Sequence, residues 1–445
     1  MAEADGSSAD DPSERGGGEK DGDRMMQLRE YAVERIAFGA RFGLRDDTLT
    51  VDAERLLAHL REDGRLTDVT VALAQPGERT KILGVLDTAE PRCFAEDDRE
   101  VFPGVLAPPR INLGGTLACL RGAAVVVCGW EPWFDEDTHG VQRPFAAFID
   151  MAGDGTRACQ NSTTANLVVT IRCDGKPAVY AELARDTIVR AARFIAKEVA
   201  ASRPAEPARE APLVPLPAPG ARKIVYIDQI RDQGPFVGTF LYGWPLTHQL
   251  PTLLTPAQLF EGALVTGDYR GSLSVPTYLH QNNPVVLALL EAQGRGEVQC
   301  AGIVLSRGNF ESLADKRRNA ELAAHVALQC GAEGVIVSIE GFGNATVDFM
   351  ETLSAGARRG LRPVGIIHEP LMTWTDEATH LVSLGAGMGL GQDAGIEIPA
   401  PAYLNGDAAR VGAVHGYRDG RNAARLEPFA ALWRHGEAGV TCREF

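Results

Sequence analysis

Four segments in the second half of the chain carry residues able to do chemistry where a fold could gather them. Val265–Ser274 reads VTGDYRGSLS and follows a predicted strand. Thr277–Val286, TYLHQNNPVV, runs into a predicted helix. Glu340–Ala345, EGFGNA, joins a strand to a helix, and Ile366–Pro370, IIHEP, ends another strand. Ligands of parallel α/β sheets bind beyond the carboxyl ends of the strands, so such a sheet would line these segments along one edge. His280, Asn282, Asn283, Glu340, Gly343 and Asn344 could then surround an anionic group together with helix N-terminal amides. The asparagines and His280 would hydrogen-bond a carboxylate, and Glu340 would move a proton if burial raises its pKa.

Each residue also has a plainer reading. His280 could hydrogen-bond within the core, and Asn282 and Asn283 could be turn and cap residues. A glycine-rich strand-to-helix turn is weakly specific. His368 with Glu369 lacks metal-ligand spacing, and no metal is expected. These residues by themselves lead to an α/β protein with a ligand cleft.

The elements that must position them are legible as strand and helix alternation. KIVYIDQI (223–230), GALVTG (262–267), CAGIVLS (300–306), GVIVSIEG (334–341), RPVGIIHE (362–369) and HLVSLGA (380–386) read as strands. Between them lie helices. One has Asn283 as N-cap and Pro284 in its first turn, one runs from Leu313 to Cys330 and stops at Gly331, and one covers TVDFMETLSAGARRG. Unbroken apolar strands alternating with helices predict a C-terminal α/β domain, 223–445, with a mainly parallel sheet covered by helices. The segment 26–201 reads as an N-terminal α+β domain. Its DVTVALAQPGERTKILGVLDTAEPR suggests two strands around a Pro-Gly turn, GAAVVVCGW a buried strand, and 181–201 an amphipathic helix. Six prolines between residues 202 and 222 suggest a semi-stiff linker, and the acidic residues 1–25 a disordered tail.

Composition narrows the function. The 445 residues carry 44 Lys and Arg against 59 Asp and Glu, a net charge of -15. That balance opposes a nucleic-acid partner and an electrostatic membrane anchor. No apolar run is long enough to cross a bilayer, and the N-terminus lacks a signal peptide's apolar stretch, so a cytoplasmic location is expected. Eight cysteines without a C-x-x-C pair read as buried reduced thiols. The chain has no G-x-S-x-G, H-E-x-x-H or G-K-[ST] motif, which weakens hydrolase, zinc-protease and P-loop readings.

The order of several strings carries more. LAQPGERTKILGVLDTAEPR, FPGVL, LRGAAVVVCG and FIDMAGDG in the first half are followed by PTLLTPAQLFEGALVTG and TYLHQNNPVV. After these come LADKRRNAELAAHVALQCGAEGVIVSIEGFGNATVDF and IEIPAP. In this order, from about Arg29 to Ala400, the chain resembles the proprotein (alpha and beta subunits) of component B of glycine, sarcosine and betaine reductases. The D-proline reductase proprotein is related. The resemblance implies a chain that cuts itself at an Asn-Cys step and converts the Cys to a pyruvoyl group. That carbonyl forms a Schiff base with the substrate amine. A partner subunit, often a selenoprotein, supplies the thiol or selenol nucleophile. The products are an amine and a sulfur- or selenium-bound carboxymethyl group.

The chain departs from that pattern at the processing step. Gly267-Asp268-Tyr269 stands where the family has Gly-Asn-Cys, and the family's second nearby Cys is missing around Leu273. Self-cleavage needs a thiol or hydroxyl on the β-carbon, and a tyrosine phenol cannot reach the preceding carbonyl. Ser272 and Ser274 are the alternative processing residues. The expectation is therefore an uncleaved chain with no cofactor and no pyruvoyl group. It would bind a small amine or carboxylate and present it to a Cys- or selenocysteine-bearing component B subunit. Glu340, His280, Asp268 and Tyr269 are the catalytic candidates. A scaffold that keeps the fold without the chemistry, and an enzyme turned to another C–N or C–X bond, are the alternatives.

Overall fold

In a computed structural model, the structure describes residues 25–95, 99–112, 114–129, 146–153, 156, 159–174, 177–202, 204, 206–231, 238–267, 275–340 and 344–366. It also describes the short strands Trp374–Asp376, Leu381–Leu384, Ile396–Pro399, Ala409–Gly412 and Leu426–Pro428. The acidic tail, apart from Met25, lies outside the described residues, as do Asp268, Tyr269, Ser272, Ser274, Gly343, His368 and Glu369.

The fold is mixed α/β and contains several sheets. One sheet has five strands centred on Arg222–Arg231. Val298–Gly308 and Gly334–Ile339 run parallel to it on either side, and Arg362–Ile366 continues parallel beyond the latter. Thr252–Leu254 closes the other edge antiparallel. Side chains alternate between the faces of a strand, and here each face contributes apolar residues to a core. Val225, Ile227, Val304, Val335, Val337 and Ile339 pack with Ala323, Ala327, Ala345 and Phe349 of the helices Leu313–Gln329 and Asn344–Arg358. Tyr226, Ile230, Ile303 and Leu305 share the opposite core with Val285, Val286, Leu289 and Leu290 of the helix Pro284–Gly294.

Local chemistry sets where these helices begin and end. Asn283 caps Pro284–Gly294, its side chain accepting from the amides of Val285 and Val286. Ser312 caps Leu313–Gln329 by accepting from Asp315 N at 3.0 Å. After the C-cap Cys330, Gly331 takes φ +71°, a conformation glycine adopts without Cβ strain.

In the first half, Ala123–Gly129 pairs antiparallel with Val85–Ala89 and parallel with Ala165–Arg172, which pairs antiparallel with Asp68–Ala74. The helix Pro177–Ala201 buries Leu183, Ile188, Val189, Ala192 and Ile195 in the same core as Val125, Val127, Leu167 and Val169. Asp68–Ala74 and Thr80–Leu83 both form around the Pro-Gly turn, but they do not pair with each other. Thr80–Leu83 joins another sheet, between Ala146–Asp150 and Ala409–Gly412. Thr80–Leu83 is buried throughout, whereas Asp68–Ala74 buries only Val69 and Ala74, and the turn carries the chain from one sheet to the next.

Two other segments are also placed by long-range pairing. Within the proline-rich stretch, Arg209–Pro212 pairs antiparallel with Gln27–Ala32, and Leu213 is buried. One core takes in residues on both sides of that stretch, from Met26 to Leu305. Leu381–Leu384 is a strand, but it belongs to a separate antiparallel sheet with Trp374–Asp376 and Ile396–Pro399. A parallel neighbour needs a long crossover, and here the preceding residues supply an antiparallel partner instead.

Candidate functional site

The carboxyl ends of Arg222–Arg231 and Gly334–Ile339 meet at Glu340. Its amide donates to Gln229 O at 2.9 Å. Its side chain is fully buried. Oε1 accepts from the amide of Val275 at 3.1 Å, and Oε2 from the amide of Arg231 at 3.0 Å. Arg231 precedes residues 232–237, Val275 follows 268–274, and Glu340 precedes 341–343. One carboxyl group therefore ties together the stems of three segments at the strand ends.

A second acid lies on the same sheet face. Asp228 and Ser338 are register partners on adjacent parallel strands, so Tyr226, Asp228, Ser338 and Glu340 alternate onto one side. Tyr226 Oη lies 2.6 Å from Ser338 Oγ, and Ser338 Oγ donates to Asp228 Oδ1 at 3.1 Å. The Asn283 side chain also bonds Tyr226. Burial pushes the Asp228 carboxyl up to about 6. Burial, then the neighbouring charge of Asp228, raises Glu340 well above the usual carboxylate range. Two buried carboxyls that feel each other's charge resist ionising together. The pair is thus suited to keeping one proton at the strand ends.

His280 lies in the short helix Thr277–Gln281 and is buried. Its Nε2 is 3.2 Å from Thr266 Oγ1, whose proton goes to Val275 O at 2.7 Å. Burial lowers the imidazole to about 3, so it is neutral near pH 7. The ring also hydrogen-bonds the Val275 backbone, which opposes that shift, and its tautomer sets which of Nε2 and Oγ1 donates.

The sequence candidates do not all fall together. Glu340, Asn283 and His280 connect to one network, through Val275, Tyr226 and Thr266 respectively. Asn282 faces another. Its Oδ1 accepts from Arg92 and Arg121, both at 2.5 Å, and these guanidiniums share Glu90 at 2.6 and 2.8 Å. Asn344 opens the helix Asn344–Arg358, and its amide donates to Asn309 Oδ1 and Phe310 O, each at 2.9 Å. Sequence reasoning missed Asp228 and Tyr226. A signal existed in KIVYIDQI, where an acid two residues from a tyrosine sits inside an otherwise apolar strand.

Among the described residues, five thiols are held above their ordinary range by burial, which makes them poor nucleophiles. Cys93, Cys119 and Cys128 are buried, and burial pushes the first two up to about 11 and about 12 and the third higher still. Cys300 and Cys330 are raised by the same cause. A thiol held this far above neutral pH has little thiolate. Among the described residues, no helix is long and apolar enough to cross a membrane.

Comparison with known proteins places the chain in a family. The family model described as glycine/sarcosine/betaine reductase component B subunits matches residues 25–383. The chain is 29% identical over 358 residues to the glycine reductase complex component B subunits alpha and beta of Acetoanaerobium sticklandii, covering 77% of this chain and 79% of that one. It is 28% identical over 387 residues to the betaine reductase complex component B subunit alpha of Peptoclostridium acidaminophilum, covering 81% and 84%. The D-proline reductase proprotein PrdA of Acetoanaerobium sticklandii is 22% identical over 370 residues, covering 77% of this chain and 54% of that one. No solved structure matches the chain.

Proposed function

This chain belongs to the family of glycine/sarcosine/betaine reductase component B subunits, and from that premise we propose that it binds a small quaternary ammonium carboxylate for reductive C–N cleavage by a partner subunit. The partner supplies the nucleophile as a cysteine or selenocysteine. The observation that carries this reading is Gly267-Asp268-Tyr269 after the VTG strand, where the resemblance to the family would put its Gly-Asn-Cys processing step. The sequence from Gly267 to Val275 contains no cysteine, and neither Asp268 nor Tyr269 has a β-thiol or β-hydroxyl. Asp268 and Tyr269 do not fit a pyruvoyl group made by the family's route, and in this reading the chain works uncleaved, with Ser272 and Ser274 as the alternative processing residues.

A quaternary ammonium suits a site without an electrophilic carbonyl. It has no N–H to lose and never forms an imine. The partner's thiolate or selenolate attacks the carbon between the carboxylate and the nitrogen. A C–S or C–Se bond forms, the C–N bond breaks, and the tertiary amine leaves neutral with the bonding pair. No proton is required for that departure. For a primary or secondary amine substrate, the Asp228–Glu340 pair would hold the proton near the leaving nitrogen. The raised thiols of this chain support a nucleophile brought by a partner. A relative named for betaine reductase supports the substrate class.

The test is reconstitution of the full chain with the nucleophile-bearing subunit and a reductant, with glycine betaine, sarcosine and glycine compared. Release of trimethylamine from glycine betaine, with little amine from glycine, is the expected result. Binding of glycine betaine without release in the presence of the partner would contradict turnover and favour a scaffold.

A further inference from the structure

The string LDTAEPR in the first half has no role in the chemistry described so far, yet it makes dense contact with the site. Asp87 lies on the strand Val85–Ala89 and is fully buried. Its Oδ1 accepts from Thr277 N at 2.9 Å and its Oδ2 from Thr277 Oγ1 at 2.6 Å. Thr277 Oγ1 in turn accepts from Thr266 N at 2.8 Å. Thr266 Oγ1 then meets His280 and Val275, and Val275 N meets Glu340.

The next residues grip the same segment further along. Glu90 N donates to Gln281 Oε1 at 3.0 Å. Arg92 donates to Gln281 O at 3.1 Å, to Phe260 O at 2.8 Å and to Asn282 Oδ1. Asp87 and Arg92 thus hold the two ends of the helix that carries His280. Thr266 and Thr277 also flank residues 268–274, so Asp87 anchors both stems of the segment that replaces the family's processing site.

We propose that residues 87–92 are the seat of residues 277–283, and that Asp87 is a positioning residue that sets the His280 imidazole through the hydroxyls of Thr277 and Thr266. The proposal rests on the substrate reading above only for its binding readout. Geometry explains why an acid is used. Asp87 accepts at both oxygens from one residue, amide and hydroxyl together, which fixes the Thr277 rotamer and points its lone pair at the Thr266 amide. An asparagine could accept only at one atom, and its NH₂ would compete for the Thr277 oxygen.

The experiment uses the full-length chain with isotope-labelled histidine, His280 being assigned by the signal lost in His280→Gln. Asp87→Asn is expected to shift the His280 ring signals. It should also weaken glycine betaine binding by about tenfold, the scale of one lost buried hydrogen bond. Thr277→Val should do the same, and Thr277→Ser, which keeps the hydroxyl, should restore both readouts. The Thr277 pair carries the test if Asp87→Asn fails to fold. Folded Asp87→Asn or Thr277→Val with His280 signals and affinity unchanged would overturn the proposal. If the wild-type chain binds no glycine betaine, the substrate reading fails, and the His280 signals decide the positioning role alone.

Discussion

Glu340→Ala is expected to abolish substrate binding and to destabilise the chain by ~2–6 kcal/mol, from about 1–3 for each buried amide left without an acceptor. Both amides, of Val275 and Arg231, bond the same carboxyl group, so one substitution frees the stems of two segments at once. Glu340→Gln keeps a single accepting oxygen and turns the other position into a donor facing an amide. It should fall between wild type and alanine in stability. Chemical denaturation measures the first effect and calorimetric titration with glycine betaine the second. Full binding by a folded Glu340→Ala would show that the strand-end loops do not depend on this carboxyl group.

Arg92→Met should cost about 3–5 kcal/mol, the range seen when one partner of a buried ion pair is removed. Arg92 is among the largest fully buried side chains, and its pairing with Glu90 excludes water on both sides. Truncation strands the Glu90 carboxylate, which keeps only Arg121 at 2.8 Å. It also removes the donor from the Phe260 and Gln281 carbonyls. Methionine fills much of the volume, so the loss reports charge and hydrogen bonds more than a cavity. The double variant Glu90→Gln with Arg92→Met should be less destabilised than the sum of the two single changes, since no buried charge is then orphaned. Denaturant midpoints with unchanged slopes are the readout. A loss below about 1 kcal/mol, the value of an exposed ion pair, would mean that this network is effectively solvated.

Elements set by local pattern were legible in the sequence. The Asn283 cap, the Gly331 stop, and the strands at 222–231, 298–308 and 334–339 follow from periodicity and cap chemistry acting over a few residues. Pairing between distant strands was less legible. Thr80–Leu83 and Leu381–Leu384 were visible as strands, but their partners are chosen by burial across the whole chain. In the site, Glu340 stood out between a strand and a helix, and His280 in a segment leading into a helix N-terminus. Asp87 and Asp228 did not, because an acid within a strand declares its partner only when the sheet and the facing helix are assembled. Asn282 could be noticed by type, but its two arginine partners lie more than a hundred residues earlier.

The central claim is that the chain works without self-processing, and the intact mass of the purified protein, with and without hydrazine, tests it most directly. The expected result is one species at the full-length 47.7 kDa, unchanged by hydrazine. Two fragments dividing between Gly267 and Val275, the smaller one carrying a hydrazone, would contradict it. Such a result would assign Ser272 or Ser274 the role of the missing cysteine and return the chain to imine chemistry on primary and secondary amines.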